Sequence, residues 1–433
     1  MTGLNPLKGF RDLYPQEKGV QSYLFEKMRQ VANLLGYQEY DGPIVEPVGL
    51  YENKTSKELL ERQTFQIKDK KGEILVLRPE MTPSLARMVA NKAGQLIFPL
   101  KLYNIGARFR YEAPQKGRSR EFYQADFDIL GTKSIISDAE SIYTLISIFE
   151  KLGATEKDFK VFINSRSYME ESLLNSNISK DKLSAILNII DKKGKVEKNK
   201  FDAMLQDEKL SKEQILSIYR LIDKSTSGVD YPYFKELFSI LKSYGVDKYC
   251  EINTSTVRGL DYYTGVVFEA IEVSNEEGSL NRSLFGGGRY DNLVSDFDQK
   301  LEIPGVGFAT SDVILLKFMQ NKGLIPNSVL KSPSCLITVF DDKTLYKSVE
   351  LSAYLRKNNI SCELYPDSQT KLDKQLKYAD KRMIPYVLII GPTEIKTNKI
   401  KVKDMKTGEQ KDMRKEELIK KLETRSTKLE TIL

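Results

Sequence analysis

The chain of 433 residues contains no histidine. That absence rules out a Ser-His pair, an imidazole general base and a histidine metal ligand. Any catalysis must rest on carboxylates, arginines, lysines, tyrosines, backbone donors or a bound metal. Cysteine is scarce as well: Cys250, Cys335 and Cys362 are scattered, odd in number and form no Cys-x-x-Cys pair. Neither a disulfide framework nor a zinc site is expected. No apolar run approaches the length needed to cross a bilayer. The opening MTGLNPLKGFRDLYPQ lacks the apolar stretch of a signal peptide. The expectation is a cytoplasmic protein with no membrane partner.

What is present is ordinary for a soluble globular chain: 40% hydrophobic and 29% charged residues. The length exceeds one ordinary core and suggests about two to four domains. With 67 Lys and Arg against 60 Asp and Glu, the net charge is +7. That excess suits a phosphate-rich partner and equally suits a slightly basic solvated surface.

The spacing of Val20, Leu24, Met28, Val31 and Leu35 predicts an amphipathic helix over 16–35, ended by Gly36. YQEYDGPIVEP follows as an extended strand broken by Pro43 and Pro47, which belongs at a sheet edge or another boundary. Residues 64–68 and 73–77 read as a hairpin around KDKKG, and Thr82-Pro83 reads as the N-cap and first residue of a helix over 84–93. Leu102 to Glu112 and Glu121 to Leu130 form the next strand pair, joined by a Lys/Arg/Gly-rich loop, and Asp138 reads as the cap of a following helix. From Tyr168 to Gly245 strand signals give way to short Lys- and Ser-rich helices, then resume at Tyr249 and run through GGGRYDNL and PGVGFAT. Beyond a linker at 322–333, strands and helices alternate as in a compact α/β domain with a mostly parallel sheet. Its last hairpin carries Lys396, Lys399, Lys401, Lys403 and Lys406, read as RNA contacts or as a solvated, guarded edge.

Two strings carry the chemistry. Residues 258–265 read RGLDYYTG, just before the apolar Val266-Val267-Phe268, and residues 117–131 read GRSREFYQADFDILG after the strand-like LYNIGARFRYE. Together they resemble histidyl-tRNA synthetase, a class II aminoacyl-tRNA synthetase, over about Gly9 to Leu422. The resemblance implies an α+β fold: a class II catalytic core on an antiparallel sheet (1–167 with motifs 1 and 2, and 247–325 with the histidine signature and motif 3), a helical insertion at 168–246 and a C-terminal α/β anticodon-binding domain at 334–425. The long helix and proline-broken strand resemble motif 1, which makes the dimer interface in such enzymes, so a homodimer is implied.

The implied activity is a histidine–tRNA ligase that activates histidine with ATP and passes it to the 3′ end of tRNA(His). Its first step suits a chain without histidine. The attacking carboxylate is already ionised near neutral pH, so positioning and cations suffice. By resemblance Arg110 and Arg258 are the catalytic cations. Arg110, Glu112 and Arg258 take ATP, with Mg2+ accompanying it and no metal site in the protein. Glu80, Met81 and Thr82, together with Arg110, Gln124, Asp128, Arg258, Tyr262 and Tyr263, take histidine. Gln124 and Asp128 share one strand face, and an acid there would accept a hydrogen bond from the imidazole ring. Gln115 and Arg118, flanking Lys116-Gly117, approach the tRNA. One departure stands out: after PGVGF the family carries Glu-Arg, and here those places hold Val313 and Ile314. A non-catalytic regulatory or tRNA-binding relative is therefore the alternative.

Overall fold

The computed structural model describes residues 3–52, 63–115, 117–193, 196–223, 230–257, 263–273, 280, 283–326, 329 and 332–430, with side chains to 422. Two compact units divide at Met1–Val329 and Leu330–Leu433. The first is organised by an eight-stranded sheet of order β1-β5-β6-β11-β10-β9-β7-β8. These strands are β1 (Gln38–Glu39), β5 (Leu100–Phe109), β6 (Glu121–Leu130), β7 (Phe159–Ser165), β8 (Cys250–Ile252), β9 (Val266–Glu272), β10 (Ser283–Tyr290) and β11 (Gly305–Ser311). Only the outermost pairs, β1 with β5 and β7 with β8, are parallel. All inner pairs are antiparallel.

Strand β6 shows why the sheet has two different faces. Its odd-numbered Ala125, Phe127 and Ile129 join the core under the helices, where Phe127 stacks between Tyr103 and Phe308. Its even-numbered Gln124, Asp126 and Asp128 line a cavity on the opposite face. The helix Ile135–Lys151 buries Ile142, Leu145, Ile146 and Phe149 in that core. The helix Pro15–Leu34 buries Leu24, Met28 and Val31 there too. Its apolar stripe is therefore consumed within the chain.

Several expected boundaries move. The segment after that helix is not one strand. Gln38–Glu39 joins the large sheet, and β2 (Val45–Pro47) pairs with β4 (Ile74–Leu77), itself paired with β3 (Phe65–Lys68), in a separate three-stranded sheet. Asp138 does not cap its helix; Ser134 does, accepting from the Ile136 amide. Asp138 is buried one turn later and takes Nε and Nη2 of Arg289, at 2.9 and 2.6 Å. Thr82 is likewise inside its helix, Thr82–Lys92, whose N-cap is Met81 with no side-chain bond. Between β7 and β8 the described residues form only helices, among them Arg166–Asn175, Leu183–Ile190, Lys198–Asp207, Lys212–Ile222 and Pro232–Ser243.

The second unit holds a five-stranded sheet of order β13-β12-β14-β15-β16, with β12 (Cys335–Ile337), β13 (Cys362–Leu364), β14 (Tyr386–Ile389), β15 (Ile400–Asp404) and β16 (Gln410–Met413). The expectation of a mostly parallel sheet needs correcting. β12, β13 and β14 are parallel, but β15 and β16 complete the sheet as an antiparallel hairpin. Of the five lysines expected along that hairpin, only Lys401 and Lys403 lie on a strand, and Lys401 pairs with Glu394 at 2.7 Å. A local ion pair uses its charge.

Candidate active site

A cavity of about 760 Å³ opens over the face of the large sheet. Several separate stretches supply its polar lining. Glu80 and Thr82 come from the start of the helix Thr82–Lys92, and Arg110, Glu112 and Arg118 from the hairpin loop between β5 and β6. Gln124, Asp126 and Asp128 come from β6, with Tyr263, Glu269 and Tyr290 from β9, β10 and the turn before β9. The structure thus brings together Glu80, Thr82, Arg110, Glu112, Arg118, Gln124, Asp128 and Tyr263. Met81 is fully buried beside Arg78 and stays out of the cavity lining, as does Gln115. Arg258, Tyr262 and Lys116 lie outside the described residues.

The hairpin between β5 and β6 sets the cationic groups. Arg110 donates Nε to the Pro79 carbonyl at 2.9 Å, and its guanidinium lies 5.4 Å from the Phe122 ring centre. Among the described residues it pairs with no carboxylate. Glu112 is taken instead by Arg118, at 2.5 Å. The loop turns tightly: Gln115 and Arg118 exchange backbone bonds, and Gly117 adopts a positive φ of 78°. A side chain there would be strained, and its Cβ would lie 3.0 Å from Ile314 Cδ1.

The other end is acidic and closed. Asp128, 5% exposed, accepts a hydrogen bond from Tyr290 Oη. Its approach depends on Gly307 in the neighbouring strand, because a Cβ there would collide with the carboxylate. Burial pushes the Asp128 carboxyl up to about 8; the Tyr290 bond opposes this and nearby Asp126 adds to it. Asp126, not anticipated from the sequence, accepts from Gln124 Nε2 at 2.6 Å and from Arg108 Nη2 at 2.9 Å. Arg108, fully buried, also donates to Asn104 at 2.6 Å. The β6 alternation pointed at Asp126; what was missing was the register that sets Asn104 opposite it, with Arg108 four residues along the same strand.

Phe122 and Asp128 are six residues apart on one strand, roughly 20 Å at the strand rise. The cavity therefore runs from arginines and apolar side chains (Phe122, Val313, Ile314) to carboxyls and tyrosines. That length suits a small amino acid placed end to end with a nucleotide.

The antiparallel sheet of this order, the Arg-x-Glu at the β5–β6 hairpin and the mixed α/β unit after it agree with the class II synthetase fold that the sequence resemblance implies. Residues 9–312 match the histidyl-tRNA synthetase family, and residues 334–425 match the anticodon binding domain. The chain belongs to the histidyl-tRNA synthetase family. It is 36% identical to the histidine–tRNA ligase of Leptospira biflexa over 414 residues, 93% of each chain. It is 33% identical to that of Thermococcus kodakarensis over 440 residues, 98% of this chain and 99% of the other. The crystal structure of histidyl-tRNA synthetase from Nostoc sp. PCC 7120 superposes with a TM-score of 0.81 at 25% identity, covering 98% of this chain and all of that one.

Proposed function

We propose that the chain joins histidine to its tRNA in two steps, each run in the cavity over β6. Family membership is the observation that carries this reading, and the converging side chains support it. In the first step the histidine carboxylate attacks the α-phosphorus of ATP, releasing pyrophosphate and leaving histidyl-adenylate. In the second a terminal ribose hydroxyl of the tRNA attacks the acyl carbon and AMP departs.

Glu80 and Thr82 suit the substrate ammonium, one as an anion and the other through a hydroxyl that no capping bond uses. Gln124 and Asp128 suit the imidazole ring, with Tyr263 closing over it. Asp126 and Tyr290 orient that pair. Arg110, braced by Pro79 and Phe122, suits the charge that builds on the α-phosphate. Arg258 is assigned the same task by its place in RGLDYYTG. Gln115 and Arg118, on the loop at the cavity rim, suit the tRNA end. Among the described residues no group of three metal-ligating side chains exists. Mg2+ would enter on the ATP phosphates, and the cavity lining offers Glu112 and Glu269 as carboxylates for it. Its charge would offset that of the phosphates.

Residues 168–246 are assigned as an insertion in a core made from 1–167 and 247–325, and 334–425 as the anticodon-binding domain. Among the described residues no helix is long and apolar enough to cross a membrane, and we assign the protein to the cytoplasm. A homodimer is supported by the small sheet, whose outer face exposes Val45 and Ile67. The non-catalytic alternative rested on Val313 and Ile314 in the places of the family's Glu-Arg, and among the described residues Glu80, Thr82, Arg110, Glu112, Gln124 and Asp128 all keep their places in the cavity lining. The deciding experiment is ATP–pyrophosphate exchange. A histidine-dependent signal is expected, and its absence at every ATP concentration would return the alternative.

A further inference from the structure

The side chain with the most consequential contacts outside the cavity is Asp312. Its carboxylate is fully buried and accepts from three separate elements: Arg11 Nη2 at 2.8 Å, Gln21 Nε2 at 2.7 Å and the Tyr123 amide at 3.0 Å. Arg11 belongs to the segment before the first helix, Gln21 to that helix and Tyr123 to β6. Two residues before Arg11, the Gly9 carbonyl accepts from Ser119 Oγ at 2.5 Å and from the amides of Arg120 and Glu121 at 2.8 and 3.1 Å. Residues 9–11 therefore strap the β5–β6 hairpin to the helix Asp312–Asn321.

Those two elements are the walls of one end of the cavity. The hairpin carries Gly117 and Arg118; the helix carries Val313 and Ile314 in its first turn. Ser311 caps that turn by accepting from the Ile314 amide at 3.4 Å. The walls meet where Ile314 Cδ1 fills the space beside Gly117. Apolar side chains beside Arg110 and Arg118 form the surface that a planar base with attached phosphates requires. The Glu112 carboxylate in this end is held by Arg118, in contrast to the carboxyl-rich Asp128 end.

We propose that Asp312 is a positioning residue for nucleotide affinity: with Arg11 it fixes Val313 and Ile314 in the nucleotide-facing wall. The inference rests on the ligase reading for the identity of the nucleotide, ATP. A carboxylate that merely stabilised the fold would affect both ligands alike. This one should affect the nucleotide and spare histidine, which binds at the far end of β6.

The test is calorimetric titration of ATP, and separately of histidine, into the full chain and its Arg11→Gln and Asp312→Asn variants. The Kd for ATP should weaken about tenfold in Asp312→Asn, the scale of one lost charge-assisted hydrogen bond. Arg11→Gln, at a partly exposed partner, should weaken it roughly threefold. Histidine Kd should stay within about twofold in both. Arg11→Gln leaves the buried carboxylate with two donors and decides the matter if Asp312→Asn does not fold. Equal weakening of both ligands, or an unchanged ATP Kd, overturns the proposal. Failure of the ligase reading shows separately: the unaltered chain would bind ATP yet give no histidine-dependent pyrophosphate exchange, and the ATP titrations would still decide the role of Asp312.

Discussion

Tyr290 donates a hydrogen bond to Asp128 across the intervening strand β11, over the bare Cα of Gly307. Burial holds the Asp128 carboxyl protonated up to about pH 8, against an ordinary value of 3.8. The folded chain therefore keeps a proton that the unfolded chain releases. The stability this lends is full below pH 3.8 and is lost as pH rises toward 8. Binding should follow a related course. A histidine ring is neutral above about pH 6.5, and the complex needs one proton shared between ring and carboxyl. Histidine affinity should be flat between that value and about 8 and fall on both sides. Asp128→Asn should abolish the upper limb and relax selectivity for the imidazole ring. Calorimetric Kd values from pH 5 to 9.5 check this, and an upper limb that survives in the Asn variant would assign Asp128 a structural role.

Gly307→Ala tests the same corner by shape. A Cβ at 307 would meet the Asp128 carboxylate and, at 2.6 Å, the Phe127 carbonyl oxygen, which belongs to the sheet and cannot swing aside. Overpacking of this kind costs about 1–3 kcal/mol. The melting temperature should drop by several degrees, and histidine should bind at least roughly tenfold more weakly. ATP affinity, set at the other end of β6, should be unchanged. Equal histidine affinity in the variant and the parent chain would show that Asp128 does not face the substrate.

The hairpin strands, the helix over 135–151 and the shared face of Gln124 and Asp128 were legible because each follows from a short-range pattern, whereas the meeting of Arg110 and Glu80 with them in one cavity was implied by the family resemblance. Alternation along β6 puts Gln124 and Asp128 on one side, and RFRYE followed by GRSREFYQ marks a strand turning back on itself. The features that escaped depend on partners far along the chain. Asp138 has the chemistry of a helix cap, and only Arg289, 151 residues away, reveals it as half of a buried ion pair. Asp126 needed the β5–β6 register to acquire Arg108, and Asp312 needed Arg11 and Gln21. The C-terminal sheet departs from the mostly parallel expectation for a related reason: a parallel start does not dictate how the last two strands return. The signature RGLDYY, the most informative string in the chain, falls largely outside the described residues, so the task of Arg258 rests on the sequence.

Arg110→Ala should lower the rate of pyrophosphate exchange by roughly 10²–10³, the usual cost of removing one donor from charge that builds in a transition state. Its Nε bond to Pro79 and its position against Phe122 fix the guanidinium before substrate arrives, so little of the effect should appear as weaker histidine binding. Arg110→Lys keeps the charge and loses the planar fork, and should recover only part of the rate. Single-turnover rates with saturating histidine separate these outcomes. A loss below threefold in the Ala variant would leave activation to other cations.

The homodimer prediction turns on the three-stranded sheet β2-β4-β3. Register puts Val45, Leu77 and Phe65 on one rung and Pro47, Leu75 and Ile67 on another, all on one face. The intervening rung, Glu46, Val76 and Gln66, points the other way, and there Glu46 and Val76 are buried. The outer face is thus apolar while Val45 and Ile67 remain 41% and 43% exposed. Phe65 on this face packs against Phe10 and Tyr111, but exposed apolar sheet surface such as that of Val45 and Ile67 is a mark of an interaction surface, and the stripe of the helix Pro15–Leu34 is packed against 135–151. A second copy of the chain is the occupant we expect. Sedimentation velocity at micromolar concentration should show a dimer, and Ile67→Asp should shift it to a monomer. The inward-facing residues are untouched by that change, so the monomer should keep the parent's circular dichroism. A monomeric parent chain with full exchange activity would refute the assignment of this face.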